Sequence, residues 1–265
     1  MLSWAGKAKR ATARGFLDYV RAPEQQARFA AYAFRGHDGT AGELITEDNG
    51  LLPHQPAAVL RPPAPKVLDT LLRSWGELRK PANVLMVLDT SGSMGADVPG
   101  TGRTKLDLAR RAAVNALPQF GGQDRVGLWR FSSTHAELSP MTAMTGAHRA
   151  ELARAIRSLS PRGGTALYDT TLAAYRHVSA VREGEAIDAV VFLTDGKNED
   201  AHSIALEDLL RELRERSIRV FTIAYGEDAD LDVLREISET TSAAAYDSRE
   251  PGSIDQIFTA VTSNF

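Results

Sequence analysis

Three mostly apolar runs limit what this chain can become: VLMVL at 84–88, DAVVFLTD at 188–195 and IRVFTIAYG at 218–226. A strand with one wet face alternates polar and apolar residues. These runs do not alternate, so both of their faces must be covered. Between them lie segments whose apolar residues recur every three or four positions, the spacing of helices that pack by one face. In the first such segment Leu106, Ala109, Ala113, Ala116, Leu117 and Phe120 keep helical spacing behind Thr104 and Asp107, a capping-box start. Strands alternating with helices imply crossover connections and a parallel sheet layered between helices, the α/β class.

The remaining elements are read the same way. RVGLWRF (125–131) is expected as a strand, with a shorter one near 135–138. Helices are expected at 147–159, over TALYDTTLAAYRHV (165–178), at 203–216, at 230–240 and from Ser253 onward, with a short strand at 243–246. The 203–216 helix has Glu207 and Asp208 early and Arg211, Arg214 and Arg216 late, as the helix dipole favours. Upstream, residues 1–35 read as two helices: Ala8, Ala11, Phe16, Tyr19 and Val20 share a stripe, and Pro23 restarts the helix at a favoured first position. Residues 36–66 hold five of the twelve prolines (Pro53, Pro56, Pro62, Pro63, Pro65) and read as a Pro/Gly-rich linker, part of it extended. Val67, Leu68, Leu71, Leu72, Trp75 and Leu78 mark a leading helix over 67–81, with Trp75 as an anchor to the domain at 82–265.

Composition excludes several function classes. The net charge of −3 and the short basic runs give no electrostatic field for nucleic acid. The absence of cysteine removes thiol catalysis, thiolate zinc sites and disulfides. No apolar run reaches the roughly 18 residues of a membrane span. The N-terminal MLSWAGKAKRATARGF has no apolar core of the signal-peptide kind.

Two of the apolar runs end in an acid. VLMVLDTSGSMG runs into Asp89, followed by Ser91 and Ser93, and VVFLTDG ends in Asp195. In open parallel sheets, ligands sit beyond the carboxyl ends of the strands. A turn there can aim Asp89, Ser91 and Ser93 at one centre, with Gly92 and Gly95 easing the backbone. PRGGTALYD (161–169) adds Thr165 ahead of a helix, behind Gly163 and Gly164. The set is two carboxylates and three hydroxyls. Such hard oxygen donors suit Mg²⁺, with Mn²⁺ or Ca²⁺ as alternatives, rather than zinc or copper. So few charged ligands leave room for an outside oxygen.

Asp-x-Ser-x-Ser after an apolar strand, Gly-Gly-Thr before a helix and Thr-Asp-Gly after another strand resemble the von Willebrand factor A domain over residues 82–265. DRVGLWRFS, GGTALYDT and VVFLTDG are similar to its bacterial branch. The resemblance implies a Rossmann-like, mostly parallel sheet with one antiparallel edge strand and helices on both faces. It implies a metal-ion-dependent adhesion site in which Ser91, Ser93 and Thr165 are ligands, with Asp89 and Asp195 binding directly or through water. It also implies a protein partner that completes the coordination with an Asp, a Glu or a C-terminal carboxylate. A switch between closed and open coordination would be linked to movement of the last helix, here Ser253–Phe265. Residues 1–50, through ARGFLDYVRAPEQQARFAAYAFR, resemble the closing helices of bacterial extracellular solute-binding domains. That implies a domain remnant and a missing upstream part, which would carry any export signal and place the protein in the cell envelope or outside it.

Single residues have blander readings beside these. Asp195 could cap the start of a helix, and Asp169, one turn past Thr165, could support the site from behind. Thr194 is expected to face the core, and Trp129 to pack against a helix. The six histidines (37, 54, 135, 148, 177, 202) are expected to be solvated. The alternative function is a metal-dependent phosphoryl-transfer or hydrolytic enzyme with Asp89 as an aspartyl nucleophile. Against it, Ser91 replaces the second acid, no lysine stands in a matching context, and neither a phosphate loop nor G-x-S-x-G is present. The reading is therefore of a binding module and not an enzyme.

Overall fold

Eight consecutive buried residues, Ala82–Asp89, form β1. It lies at the middle of a sheet whose order is β5-β4-β1-β6-β7-β8 among the residues described, which are 7–54, 63–182, 184–214, 217–248 and 253–262 of a computed structural model. Its partners are β4 (Arg125–Phe131) and β6 (Ile187–Thr194), both parallel to it. Beyond β6 come β7 (Arg219–Tyr225) and β8 (Ala245–Ser248), also parallel. The far edge is β5 (His135–Ala143), antiparallel to β4. A two-stranded ribbon of β2 (Asp97–Val98) and β3 (Arg103–Thr104) stands apart.

The pleat divides β1 between two cores. Val84, Met86 and Leu88 face α4 (Lys105–Ala116), α5 (Gly146–Arg157) and α9 (Ile254–Thr262), through residues such as Leu106, Ala113, Leu152, Phe258 and Val261. Leu85 and Val87 face α6 (Leu167–Ala180), α7 (Leu206–Leu213) and α8 (Leu231–Thr240), through Leu167, Val178, Leu209, Leu213 and Leu234. Burial on both faces explains why β1, β6 and β7 carry no polar alternation. The capping box at Thr104 and Asp107 forms as the sequence implies and starts α4.

A buried carboxylate secures the entry to β1. Asp124, 1% exposed, accepts the amides of Ala82 (2.9 Å) and Gly121 (2.7 Å) and pairs with Arg79. Charge-assisted bonds of this kind hold a loop more firmly than neutral ones.

Two compact units divide the chain, Met1–Arg73 and Ser74–Phe265. The first contains α1 (Lys7–Arg21) and α2 (Pro23–Ala30), as the sequence implies; Phe16, Tyr19 and Phe29 on these helices and Tyr32 and Phe34 just after them are exposed. Residues 36–54 turn rather than extend. Arg35 donates to the carbonyls of Gly39, Leu52 and Pro53, and Gln26 accepts the amide of His37. One guanidinium thus holds Gly39 near residues 52 and 53; of the expected linker, residues 55–62, with Pro56 and Pro62, lie outside the described set. The leading helix is α3 (Pro65–Leu78); the expected anchoring role of Trp75 lies outside the described side chains.

Two element lengths differ from expectation. β5 runs five residues beyond 138 despite Pro140, which an edge strand tolerates because one side of its backbone faces no partner. The helix expected at 203–216 starts at Leu206 and ends at Leu213, with residues 215 and 216 outside the described set. The last helix begins at Ile254, and residues 263–265 lie outside the described set.

Phe192→Ala empties the place of a fully buried side chain at the sheet centre and is expected to cost about 3–5 kcal/mol. Leu52→Ala, on an exposed residue, should change stability by less than about 0.5 kcal/mol. Urea denaturation of both variants checks the contrast.

Candidate metal centre

Parallel, in-register pairing of β1 and β6 sets Leu88 beside Leu193, so the next residues, Asp89 and Thr194, end their strands side by side. Thr194 Oγ1 donates to Asp89 Oδ2 at 2.5 Å, and the amide of Ser91 donates to Asp89 Oδ1 at 2.7 Å. One residue further, Asp195 Oδ1 accepts from Ser93 Oγ at 2.7 Å, and Ser93 Oγ lies 2.9 Å from Ser91 Oγ. Asp89 and Asp195 are both 0% exposed. Four of the five residues singled out in the sequence therefore form one hydrogen-bonded chain across two strand ends.

The fifth arrives on a third loop. Gly92 N donates to Gly163 O (2.8 Å) and Arg162 N to Thr90 O (2.7 Å), which binds the Gly-Gly-Thr segment to the first loop. Gly163 has φ +78°, a conformation costly for other residues, and a Cβ there would meet Ser133 Oγ at 3.0 Å. The glycines of the first loop play a different part: Gly92–Gly95 is a 3₁₀ turn without positive φ. Thr165, 3% exposed, lies against the Asp195 loop, close enough that a Cβ on Gly196 would sit 3.2 Å from Thr165 Oγ1. Asn198 Oδ1 accepts the first amides of α6, from Leu167 (3.0 Å) and Tyr168 (3.3 Å), and Glu199 N donates to Thr165 O (2.8 Å). The Asp195 loop thereby clasps the Thr165 loop. Asp195 itself caps no helix.

Charge at this site is crowded. Burial pushes the Asp89 carboxyl up to about 6; the hydrogen bonds from Thr194 and Ser91 oppose that rise, and the charge on Asp195 adds to it. Lys105, in the first turn of α4, brings Nζ to 2.7 Å from Asp195 Oδ2 and to 3.8 Å from Asp228 Oδ2. Tyr225, at the end of β7, is pushed up to about 12, mainly by burial and then by Asp195, and its buried hydroxyl has no hydrogen-bond partner among the described residues.

Several residues behave differently from their sequence reading. Thr194 faces the site and not the core, because register puts it opposite Asp89. Lys105 supplies the lysine that the sequence hid, from a helix start 90 residues before Asp195. Asp169 accepts the amide of Ile204 (3.0 Å) and so supports the loop leading into α7. His148 is buried, with Nε2 2.7 Å from Val126 O, where a solvated side chain was expected. Trp129 packs against α6 as expected, tilted on His177 and stacked on His135, with ring centroids 5.0 Å apart in both cases. Thr194, Lys105 and Asn198 are the supporting residues that motif reading missed; the polarity of Thr194 within an apolar run was the one available signal.

The oxygen-only donor set suits a hard cation. Among the described residues no three His, Cys, Asp or Glu side chains cluster for a metal, so any such site depends on the hydroxyls.

Residues 83–260 match the von Willebrand factor type A (VWA) domain family. The chain belongs to this family. Among its relatives is the uncharacterized protein sll0103 of Synechocystis sp., 25% identical over 166 residues, 63% of this chain and 37% of that protein. Similar folds include a von Willebrand factor type A structure from Catenulispora acidiphila (24% identity, TM-score 0.59, 69% of this chain and 42% of that one). A structure of proximal thread matrix protein 1 from the mussel byssus, with a zinc-occupied MIDAS motif, is also similar (18% identity, TM-score 0.58, 70% of this chain and 46% of that one). The chain thus spans less than half the length of these relatives. The VWA fold expected from the motifs, with its single antiparallel edge strand, is the fold observed. VWA domains are metal-dependent adhesion and protein-interaction modules as a family, and no helix of the described residues is long and apolar enough to cross a membrane.

The raised Asp89 value has a stability consequence. A buried acid held at about 6 contributes stability that is fully present below its unfolded value of 3.8 and is lost as pH rises through about 6. Ionisation in the fold costs on the order of 3 kcal/mol. Asp89→Asn stays neutral, keeps an acceptor for Ser91 N, and lets Thr194 Oγ1 turn to accept. In EDTA, urea denaturation should find variant and wild type converging toward about pH 4 and the variant more stable by about 1–3 kcal/mol near pH 7.

Proposed function

We propose that this VWA domain is a protein-binding module that captures an acidic group of its partner through a divalent ion. Ser91, Ser93 and Thr165 would hold the ion, with Asp89 and Asp195 contributing directly or through water. Mg²⁺ fits the donor set best, with Mn²⁺ or Ca²⁺ as alternatives. The observation that carries this reading is the pair of fully buried carboxylates linked through the Ser91 amide and the Ser91 and Ser93 hydroxyls, with Thr165 drawn beside them on a separate loop. Burying two like charges so close is costly unless cations offset them.

The ion would supply Lewis acidity toward an oxygen from outside the chain. The rest of the site positions it. The 3₁₀ turn holds both serines, Thr194 and the Ser91 amide fix the Asp89 carboxyl, and the Asn198 clasp fixes Thr165. The enzymatic alternative has less support. Ser91 stands where such an enzyme would place its second acid, and neither a phosphate loop nor G-x-S-x-G is present.

Calorimetric titration with Mg²⁺ and Mn²⁺ should show one site in the wild type and none in Asp89→Ala or Thr165→Ala. A partner captured in Mg²⁺ should be released by EDTA and not be captured by Asp89→Ala; capture that persists in chelator would overturn the reading. Thr194→Val removes a donor to Asp89 and should weaken Mg²⁺ binding about ten- to a hundredfold, as loss of one hydrogen bond to a charged group implies, without abolishing it.

A further inference from the structure

We propose that Lys105 is a tethered cation that competes with the divalent ion for Asp195 and so sets the affinity of the site; this rests on the metal-binding reading above. Lys105 occupies the first turn of α4, where the helix dipole disfavours a positive charge. Its ammonium is instead committed to Asp195 Oδ2 at 2.7 Å, with a side chain only 15% exposed. Ser93 Oγ takes the other Asp195 oxygen. Both oxygens of this carboxylate are therefore engaged by the chain itself, so an incoming ion at either one meets a neighbour already in place. A serine hydroxyl can turn and still offer its lone pairs. An ammonium has no lone pair and repels a dication, so it must leave.

The surroundings give it somewhere to go. Lys105 borders a cleft of about 360 Å³ that is lined also by Asp97, Tyr225, Glu227 and Asp228. Asp228 Oδ2 is already 3.8 Å from Nζ and 83% exposed, so a small shift toward solvent exchanges one carboxylate partner for another. Tyr225, at the end of β7, also lines this cleft. Gly226 keeps the path open: it has φ +89°, and a Cβ on it would meet Lys105 Nζ at 3.1 Å and Cε at 3.2 Å. Lys105 thus lies between a buried anionic partner and an exposed one, and the divalent ion selects the exposed one.

Two measurements on the whole chain test this. In calorimetry at fixed pH and ionic strength, Lys105→Met should bind Mg²⁺ about tenfold more tightly than wild type, while Lys105→Arg, which keeps the charge, stays within about threefold. In wild-type protein, acetic anhydride labelling mapped by mass spectrometry should show Lys105 becoming several-fold more reactive when Mg²⁺ is added, with Lys80 unchanged; this second readout requires no variant to fold. Equal or weaker Mg²⁺ binding by Lys105→Met, or labelling of Lys105 that Mg²⁺ leaves unchanged, would overturn the role of Lys105 while Mg²⁺ binding by wild type stands. Absence of Mg²⁺ binding in both wild type and Lys105→Met would instead overturn the metal-binding reading, and this proposal with it.

Discussion

Parallel pairing of β1 with β6 is the constraint on which the rest of the site depends. It ends two adjacent strands in carboxylates, at a depth where neither Asp89 nor Asp195 reaches solvent. Charge in such a place has to be answered locally. Every polar neighbour can be read as part of that answer: an amide and a threonine hydroxyl on Asp89, a serine hydroxyl and an ammonium on Asp195. Asp89 remains under-compensated, and its raised proton affinity records the shortfall.

The scaffold around this pair is ordinary in chemistry and demanding in shape. Helices cover both sheet faces, so loops are free to form the site only at the strand ends. Three loops that are far apart in sequence meet there because backbone bonds tie them to one another: Gly92 to Gly163, Arg162 to Thr90, Glu199 to Thr165. Those ties involve no liganding side chain. They separate the task of assembling the site from the task of binding at it, so that a hydroxyl can be lost without the loops parting.

Much of this was legible in the sequence because apolar runs and helical spacing report burial directly. The runs at 84–88, 188–195 and 218–226 became β1, β6 and β7, and the Thr104–Asp107 box became a helix start. The Asp89, Ser91, Ser93, Thr165 and Asp195 set was legible as a motif, and the fold brings these residues together. What stayed hidden was set by register and long-range approach. Thr194 looks like a core residue until β1 lies beside β6. Lys105 looks like a helix-start lysine until α4 packs near the end of β6. His148 reads as a polar helix residue, yet its ring nitrogen meets a β4 carbonyl that no local pattern announces. The long β5 was obscured because an edge strand tolerates the proline and polar residues that would exclude a central one.

A site with only two carboxylates behaves differently from one with three or four. With two acids and a lysine, the chain supplies a net charge of −1 near the strand ends; if the lysine withdraws to Asp228, the same residues supply −2 to a divalent ion. Neutralisation would then be complete without a partner, while hydroxyls and waters, being weak donors, fill the remaining positions. A carboxylate from outside displaces such neutral ligands more easily than it displaces a protein carboxylate, because it adds charge where the chain has offered only dipoles. On the proposed reading, the choice of Ser91 and Ser93 over acids thus does two things at once. It leaves neutral, displaceable ligands on the ion where further acids would have stood, and it lets a single tethered lysine decide how readily that ion is held.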